Sequence, residues 1–481
     1  MDEKSASGRT GATRRTFLSA SAATAAATTV AVPLLSAATP ASAASLPKSE
    51  PDADLRRLLS QIDPARIEAT ITRLVQFGTR HTSSSQTDPV RGIGAATTWV
   101  FQQMQAIAAT SSGRMTVQRQ SFAQPAVPPN LPVASTITNV IATLQGTASP
   151  QRYYVITGHL DSRVTDVTDS TSDAPGADDD ASGVAVVLEL ARLFATRQFP
   201  GTLVFATVDG EEQGLFGSAF MAAQMKKAGA DVQGMFSNDI VGASQAFDGT
   251  KPDPFSVRLF VEGVPAADSA AQISLIEEVG GENDGDTHQL ARFVTSVAPA
   301  SLTGMNIRVI WRRDRYLRGS DHVSFQAQGY PAARITEPRE NFNHEHRDVE
   351  VIGGVDFGDR LEFVDFRYTA RVAKVNAAAL WALATNPATP KNVQIHVTPP
   401  AGFAGINDTV LTWDANPETD LSGYEVVTRE TSAPDWTQSI PVGNVTSVTL
   451  DIAKDNLQFG VRAVDKAGHR SPVGFPVTVT T

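Results

Sequence analysis

No cysteine occurs anywhere in the 481 residues. Disulfide staples and thiolate metal sites are therefore excluded, and any bound metal must rest on imidazole and carboxylate ligands. Basic residues are also short, 40 against 51 acidic ones, giving a net charge of −11. Nucleic acid and anionic membrane surfaces need a cationic footprint, so both are disfavoured as partners. No segment approaches the ~20 continuous apolar residues of a membrane-spanning helix, and no retained integral span is expected. What the chain has is a globular composition, 41% hydrophobic and 19% charged. Its length predicts two or three domains, because single cores stop growing beyond roughly 250–300 residues.

Residues 14–19 read RRTFLS, followed by a mildly apolar Ala/Thr-rich stretch to Leu35 and then ATPASAAS. Paired arginines, a modest hydrophobic segment and an Ala-x-Ala site resemble a twin-arginine export signal. The resemblance implies a signal peptide over residues 1–43, cleaved near Ala43, and a folded chain exported to the periplasm or secreted. Residues 1–43 hold two acids and four bases, so the remainder is more acidic still.

Residues 44–387 read as one α/β unit. Leu55, Leu58, Leu59, Ile62, Ile67, Ile71, Leu74 and Val75 follow helical spacing, broken at Asp63-Pro64. A second helix is predicted from Gly94 to Ile107, and the strand-like runs MTVQRQSF and STITNVIATL predict neighbouring strands. From Tyr153 onward buried β-rich runs (YYVIT, TLVFATV, MFSND, VRLFV, IRVIW) alternate with helical patterns, notably Val184–Phe194 and Ser218–Lys227. That alternation predicts a mostly parallel mixed sheet flanked by helices, with ligands beyond the carboxyl ends of its strands. A long helix from about Tyr368 to Thr385 closes the unit. Residues 388–481 then read as short alternating strands with Trp413, Tyr424 and Phe459 available for an aromatic core, an all-β sandwich. This segment resembles a fibronectin type III module, which implies a spacer or an accessory that binds a surface or a polymer.

Chemistry-bearing residues cluster at the predicted strand ends. GADDDASG sets Asp178, Asp179 and Asp180 before an apolar helix. Asp at a helix N-terminus is ordinary capping chemistry, but three adjacent carboxylates repel, and a bound cation would offset the repulsion. TGHLDS offers His159 with Asp161, whose carboxylate suits the fixing of an imidazole tautomer. VDGEEQG puts Glu211 and Glu212 in a Gly-flanked loop, where two glutamates can divide metal binding from proton transfer. SNDIVG ends a strand with Asp239, and NFNHEHRD offers His344 and His346. Each signal has a bland counterpart: a structural His, a solvated Glu pair, a turn Asp. Together, imidazoles and carboxylates from several strand-end loops match a pair of Zn²⁺ ions, with one Asp bridging.

GHLDS, PGADDDASG, GEEQGLFGS, the strand-end Asp239, SDHVSF and NFNHEHRD occur in the order seen in metallopeptidase family twenty-eight. The chain resembles these leucyl aminopeptidase-like di-zinc exopeptidases over roughly residues 55–385. The resemblance implies two Zn²⁺ ions, with His159, Glu212, Asp239 and His344 as terminal ligands and Asp179 as the bridge. It implies Glu211 as general base and Asp161 as the group that orients His159. His344 and His346 compete for the last ligand position; His344 keeps the family's spacing to a following Asp, here Asp348. Some members carry a tyrosine just before this His, where the chain has Asn343. Asp321 and His322 are implied to lie near the cleft as substrate-binding residues.

The resulting expectation is an exported aminopeptidase acting on peptides. Three rivals remain: a carboxypeptidase using Arg312, Arg313, Arg315 and Arg318 to hold a free carboxylate, a glutaminyl cyclase, and an inactive receptor-like binding protein.

Overall fold

The structure, a computed structural model, describes residues 44–45, 52–398 and 408–479. The signal segment expected at 1–43 lies outside these residues. The chain begins with β1 (Ala44–Ser45), α1 (Ala53–Leu59), α2 (Pro64–Val75) and α3 (Ile93–Ala109). Next come β2 (Met115–Gln124), β3 (Ser135–Leu144), β4 (Ser149–His159), α4 (Ala181–Phe194), β5 (Gly201–Val208), α5 (Glu211–Gly214) and α6 (Phe216–Lys227). They are followed by β6 (Asp231–Asn238), β7 (Ser256–Val261), α7 (Ala270–Glu278), α8 (Asp286–Val297), α9 (Ala300–Thr303) and β8 (Asn306–Ile310). The unit closes with α10 (His322–Gln326), β9 (Ala332–Thr336), the hairpin β10 (Glu350–Ile352) and β11 (Val355–Phe357), and α11 (Phe366–Thr385).

Eight of these strands form one sheet in the order β2-β3-β5-β4-β6-β9-β7-β8. The central strands β5, β4, β6 and β9 run parallel, while β2, β3 and the β9–β7 pairing are antiparallel. All eight positions of β5 are buried, as a strand covered on both faces requires, which is why it reads as a continuous apolar run. The helix break at Asp63-Pro64 is a cap: the Asp63 side chain accepts the Ala65 N–H, and α2 buries Ile67, Ile71 and Leu74. α4 is buried along nearly its whole length. Its first turn approaches the end of β4 so closely that a Cβ on Gly158 would lie 2.5 Å from the Gly183 carbonyl carbon. That contact sets the aspartate triplet directly against His159.

Beyond α11, strands β12 (Gln394–His396), β13 (Thr409–Thr412), β14 (Leu421–Glu430), β15 (Gln438–Gly443), β16 (Ser447–Leu450), β17 (Leu457–Asp465) and β18 (Val477–Val479), together with β1, form two four-stranded sheets. The sheets are ordered β1-β15-β14-β17 and β16-β13-β12-β18, so β1 adds an edge to the first. Trp413, Tyr424 and Phe459 are buried between them. This module is docked on the α/β unit through buried polar contacts. Asp284 pairs with Arg429 of β14, Arg152 with Glu418 at 3.3 Å, and Trp436 Nε1 donates to Gln289 at 2.9 Å. Cutting the chain after Thr389 strands the partners of Arg429 and Trp436. Losing one side of a buried ion pair costs up to about 3–5 kcal/mol, a large share of the 5–15 kcal/mol that typically holds a domain. Truncation at 389 is therefore expected to lower the melting temperature sharply; a melting curve unchanged from the full chain would refute it.

Candidate metal centre and active site

The carboxyl ends of the parallel strands converge on one polar cleft. His159, the last residue of β4, points its Nδ1 at the Asp161 carbonyl, 3.1 Å away, and lies 3.6 Å from the Asp161 carboxylate. Its Nε2 lies 2.9 Å from Asp179 Oδ1 and 3.9 Å from Asp239 Oδ1. Asp161 has a second task beyond flanking His159. Its carboxylate accepts the backbone N–H groups of Gly210, Glu211 and Glu212 at 3.0, 3.2 and 3.0 Å, fastening the histidine loop to the glutamate loop.

The aspartate triplet divides its labour. Asp180 is the cap: it accepts the Gly183 N–H at 2.9 Å and the His159 N–H at 2.8 Å. Asp178 turns the other way and accepts the Gly242 N–H at 2.6 Å. Asp179 faces the cleft. Its own N–H and that of Asp178 go to Asp359, at 2.7 and 2.8 Å. The fully buried Arg80 donates to the carbonyls of Leu160 and Gly176 at 2.7 and 2.9 Å, joining the two loops. Capping and cation-seeking thus both occur in the triplet, on different members.

At the last histidine the structure corrects the sequence reading. His346, not His344, enters the cleft, with its Nε2 2.8 Å from Asp179 Oδ2 and 3.1 Å from Glu212 Oε2. His344 stacks on Phe363, centroids 3.6 Å apart and rings 8° from parallel. The cause is a tight turn in which Asn341 accepts the N–H groups of His344 and Glu345 at 2.8 and 3.0 Å, after which His346 takes φ +52°. Asp348, whose spacing favoured His344, instead bonds Thr165.

Among the described residues, two groups of side chains have ligand atoms within 4.8 Å of one another: His159, Asp179 and Asp239, and Asp179, Glu345 and His346. Asp179 belongs to both. Glu212 Oε1 and Glu345 Oε2 are buried and accept no hydrogen bond, a costly state unless something cationic completes them. Imidazole and carboxylate donors around orphaned carboxylate oxygens fit divalent cations of the zinc class.

With that geometry in view, comparison with known proteins gives the family. Residues 139–351 match the profile of Peptidase family M28. A probable zinc metalloprotease of Leptosphaeria maculans is 47% identical over 431 residues, covering 90% of this chain and 98% of that relative. The chain is a member of peptidase family M28. A probable zinc metalloprotease of Pyrenophora tritici-repentis is 48% identical over 428 residues, covering 89% of the M28 chain and 87% of its own length. The solved LapA aminopeptidase of Legionella pneumophila is 17% identical, with a TM-score of 0.48 over 71% of this chain and 78% of that one.

The electrostatics of the M28 site follow from its crowding. Burial alone would lower the pKa of His159, but Asp180, Asp161, Asp179 and Glu211 outweigh it and raise the pKa well above the usual imidazole value. The same balance, with Glu212 and Asp179 as the carboxylates, raises His346. Glu211 goes up strongly through burial, with Asp239, Glu212 and Asp321 adding to the rise against His159. Asp321 and His322, expected as substrate contacts, are fully buried behind the cleft. Asp321 accepts from Thr157 at 3.4 Å and is pushed up to about 7 by burial. His322 Nε2 lies 2.8 Å from the Arg313 carbonyl, and burial pulls it down to about 4, so it is neutral.

Several residues of the site gave no sequence signal. Arg334 on β9 donates to Asp239 at 2.8 Å, Arg80 clamps two loops, and Glu340 and Glu345 anchor Arg315 and Arg318. Burial would raise Glu340, but Arg315, Arg334 and Arg258 overcome it and hold its pKa at about 2. Its stabilising share is therefore full above the unfolded value near 4.5 and is lost as pH falls through about 2.

Proposed function

We propose that the chain is an exported di-zinc exopeptidase that releases N-terminal residues from peptides. The observation that carries this reading is the position of Asp179, the one carboxylate common to two donor groups, each with its own histidine. His159 and Asp239 would hold one Zn²⁺, and His346 with Glu212, whose Oε2 lies 3.1 Å from the His346 Nε2, the other, with Asp179 between them. Bound there, the ions would supply Lewis acidity and make water a nucleophile at neutral pH.

The protein's own part is positional and protonic. Glu211, held by Asp161 at its backbone, accepts a proton from the attacking water and returns it to the leaving amine; its raised pKa suits both transfers. The acidic cleft favours a substrate's free α-ammonium. A carboxypeptidase role finds less support, because Arg315 and Arg318 already pair with Glu340 and Glu345. The C-terminal segment is read as a fibronectin type III-like sandwich, and the twin-arginine segment would direct export, with cleavage near Ala43.

Metal analysis of the purified protein should find about two zinc ions per chain, with chelation abolishing peptidase activity and Zn²⁺ restoring it. Dipeptides blocked at the C-terminus should be cleaved and those blocked at the N-terminus should not. The opposite pattern would make the protein a carboxypeptidase; cyclisation of N-terminal Gln without hydrolysis would make it a cyclase. No turnover with metal bound would leave a binding protein.

A further inference from the structure

The C-terminal sandwich is linked to the cleft by a series of contacts that reaches Trp311 and continues along the chain segment 311–321. Asp284, fully buried, divides its carboxylate between Arg292 of α8, at 3.1 Å, and Arg429 of β14. Arg292 also donates to the Pro434 carbonyl at 2.8 Å, and Gln289 of the same helix receives Trp436 Nε1. α8 in turn grips Trp311. The His288 ring meets it edge-on at 4.7 Å, and the Arg292 guanidinium lies 5.2 Å from its centroid. Trp311 opens the segment 311–321 that follows β8. Within that segment Arg315 pairs with Glu340, and Arg318 pairs with Glu345, the neighbour of His346. The Gly319 carbonyl accepts from Arg334 at 3.0 Å, the same guanidinium that holds Asp239.

We propose that the sandwich is a positioning part of the cleft, with Arg429 and Trp311 as positioning residues that fix segment 311–321. So far as it concerns hydrolysis, the proposal rests on the peptidase reading above. The contacts are buried at the sandwich end and end beside residues of both donor groups, so moving the segment would disturb Glu345 and Arg334 together. Trp311 is 40% exposed, so its removal opens no deep cavity and leaves the Asp284 pairs in place.

The test uses the full chain with Trp311→Ala, Trp311→Phe, Arg429→Gln and the double variant Trp311→Ala/Arg429→Gln. Amide hydrogen exchange over 312–320, kcat and KM separately, and bound zinc are measured for each. Both Trp311→Ala and Arg429→Gln should speed exchange in that segment. Each should also raise KM roughly 3- to 30-fold, the range of couplings carried by packed networks, with kcat in excess Zn²⁺ little changed and zinc more readily lost on dialysis, because Glu345 and Arg334 are disturbed. Trp311→Phe should behave as wild type, and the double variant should be no worse than the single ones, since both cut one path. Unaltered exchange in either single variant, or additive effects in the double one, would overturn the proposal. If the wild-type chain hydrolyses no peptide, the peptidase reading fails, and the exchange data alone decide the positioning role.

Discussion

Glu211→Gln is expected to keep its zinc and lose its rate. The change preserves size and the backbone bond from Glu211 N–H to Asp161, and removes only the group that moves the proton. Loss of a general base costs about 10²–10⁴-fold in kcat, or roughly 3–5 kcal/mol of barrier, and the upper end applies if the same carboxylate serves both transfers. Glu212→Gln should behave differently. Its Oε2 lies 3.1 Å from His346 Nε2 and its Oε1 has no partner, and a neutral amide is a poor zinc ligand. Bound zinc should fall, with excess metal restoring part of the activity. Measuring both quantities for both variants in one buffer decides the assignment: metal loss in Glu211→Gln with retention in Glu212→Gln would reverse the two roles.

The histidine pair gives the second large effect. His346→Ala removes the ring that lies between Asp179 and Glu212. Loss of an outer-sphere partner alone weakens metal binding 10–100-fold, and removal of a direct ligand should exceed that, visible as zinc lost on dialysis. His344→Ala removes a stacked ring from Phe363, worth about 0.5–1.5 kcal/mol of stability, and should leave bound zinc and kcat unchanged. If His344→Ala sheds metal while His346→Ala retains it, the placement of this loop is wrong.

These two histidines also mark where sequence reading stops. The sheet was legible because its central strands are buried on both faces and carry their polar residues at their carboxyl ends; His159, Glu211, Glu212 and Asp239 all stand at such ends. β9 was not, because AARIT sits between a proline and a charged loop and carries Arg334 inward, against the apolar pattern of its neighbours. In the irregular stretch 341–348 no period relates position to direction. Whether His344 or His346 turns inward is decided by the Asn341 turn, a hydrogen-bonding detail that composition does not report. The polar run Thr79, Arg80, His81 and Thr82 carried no pattern that assigned it a place, and all four are buried. Their polarity is spent on carbonyls and carboxylates beneath the cleft, as in the bond from Thr82 to Asp209 at 3.0 Å. The triplet Asp178–Asp180 announced a special site, but its three separate directions are a property of the folded backbone.

The grip of Asp161 on the glutamate loop has a consequence for how the cleft handles its ions. The three groups it holds are backbone amides, which carry no titrating proton and no side-chain freedom to lose. The spacing of the two loops at His159 and Glu212 is thereby set by main-chain bonds that need no cation. A protein stripped by chelator should keep its receptor sites at their working distance, so reloading meets a frame already assembled and the entropic cost of ordering those two loops is met at folding, once, before the first ion arrives.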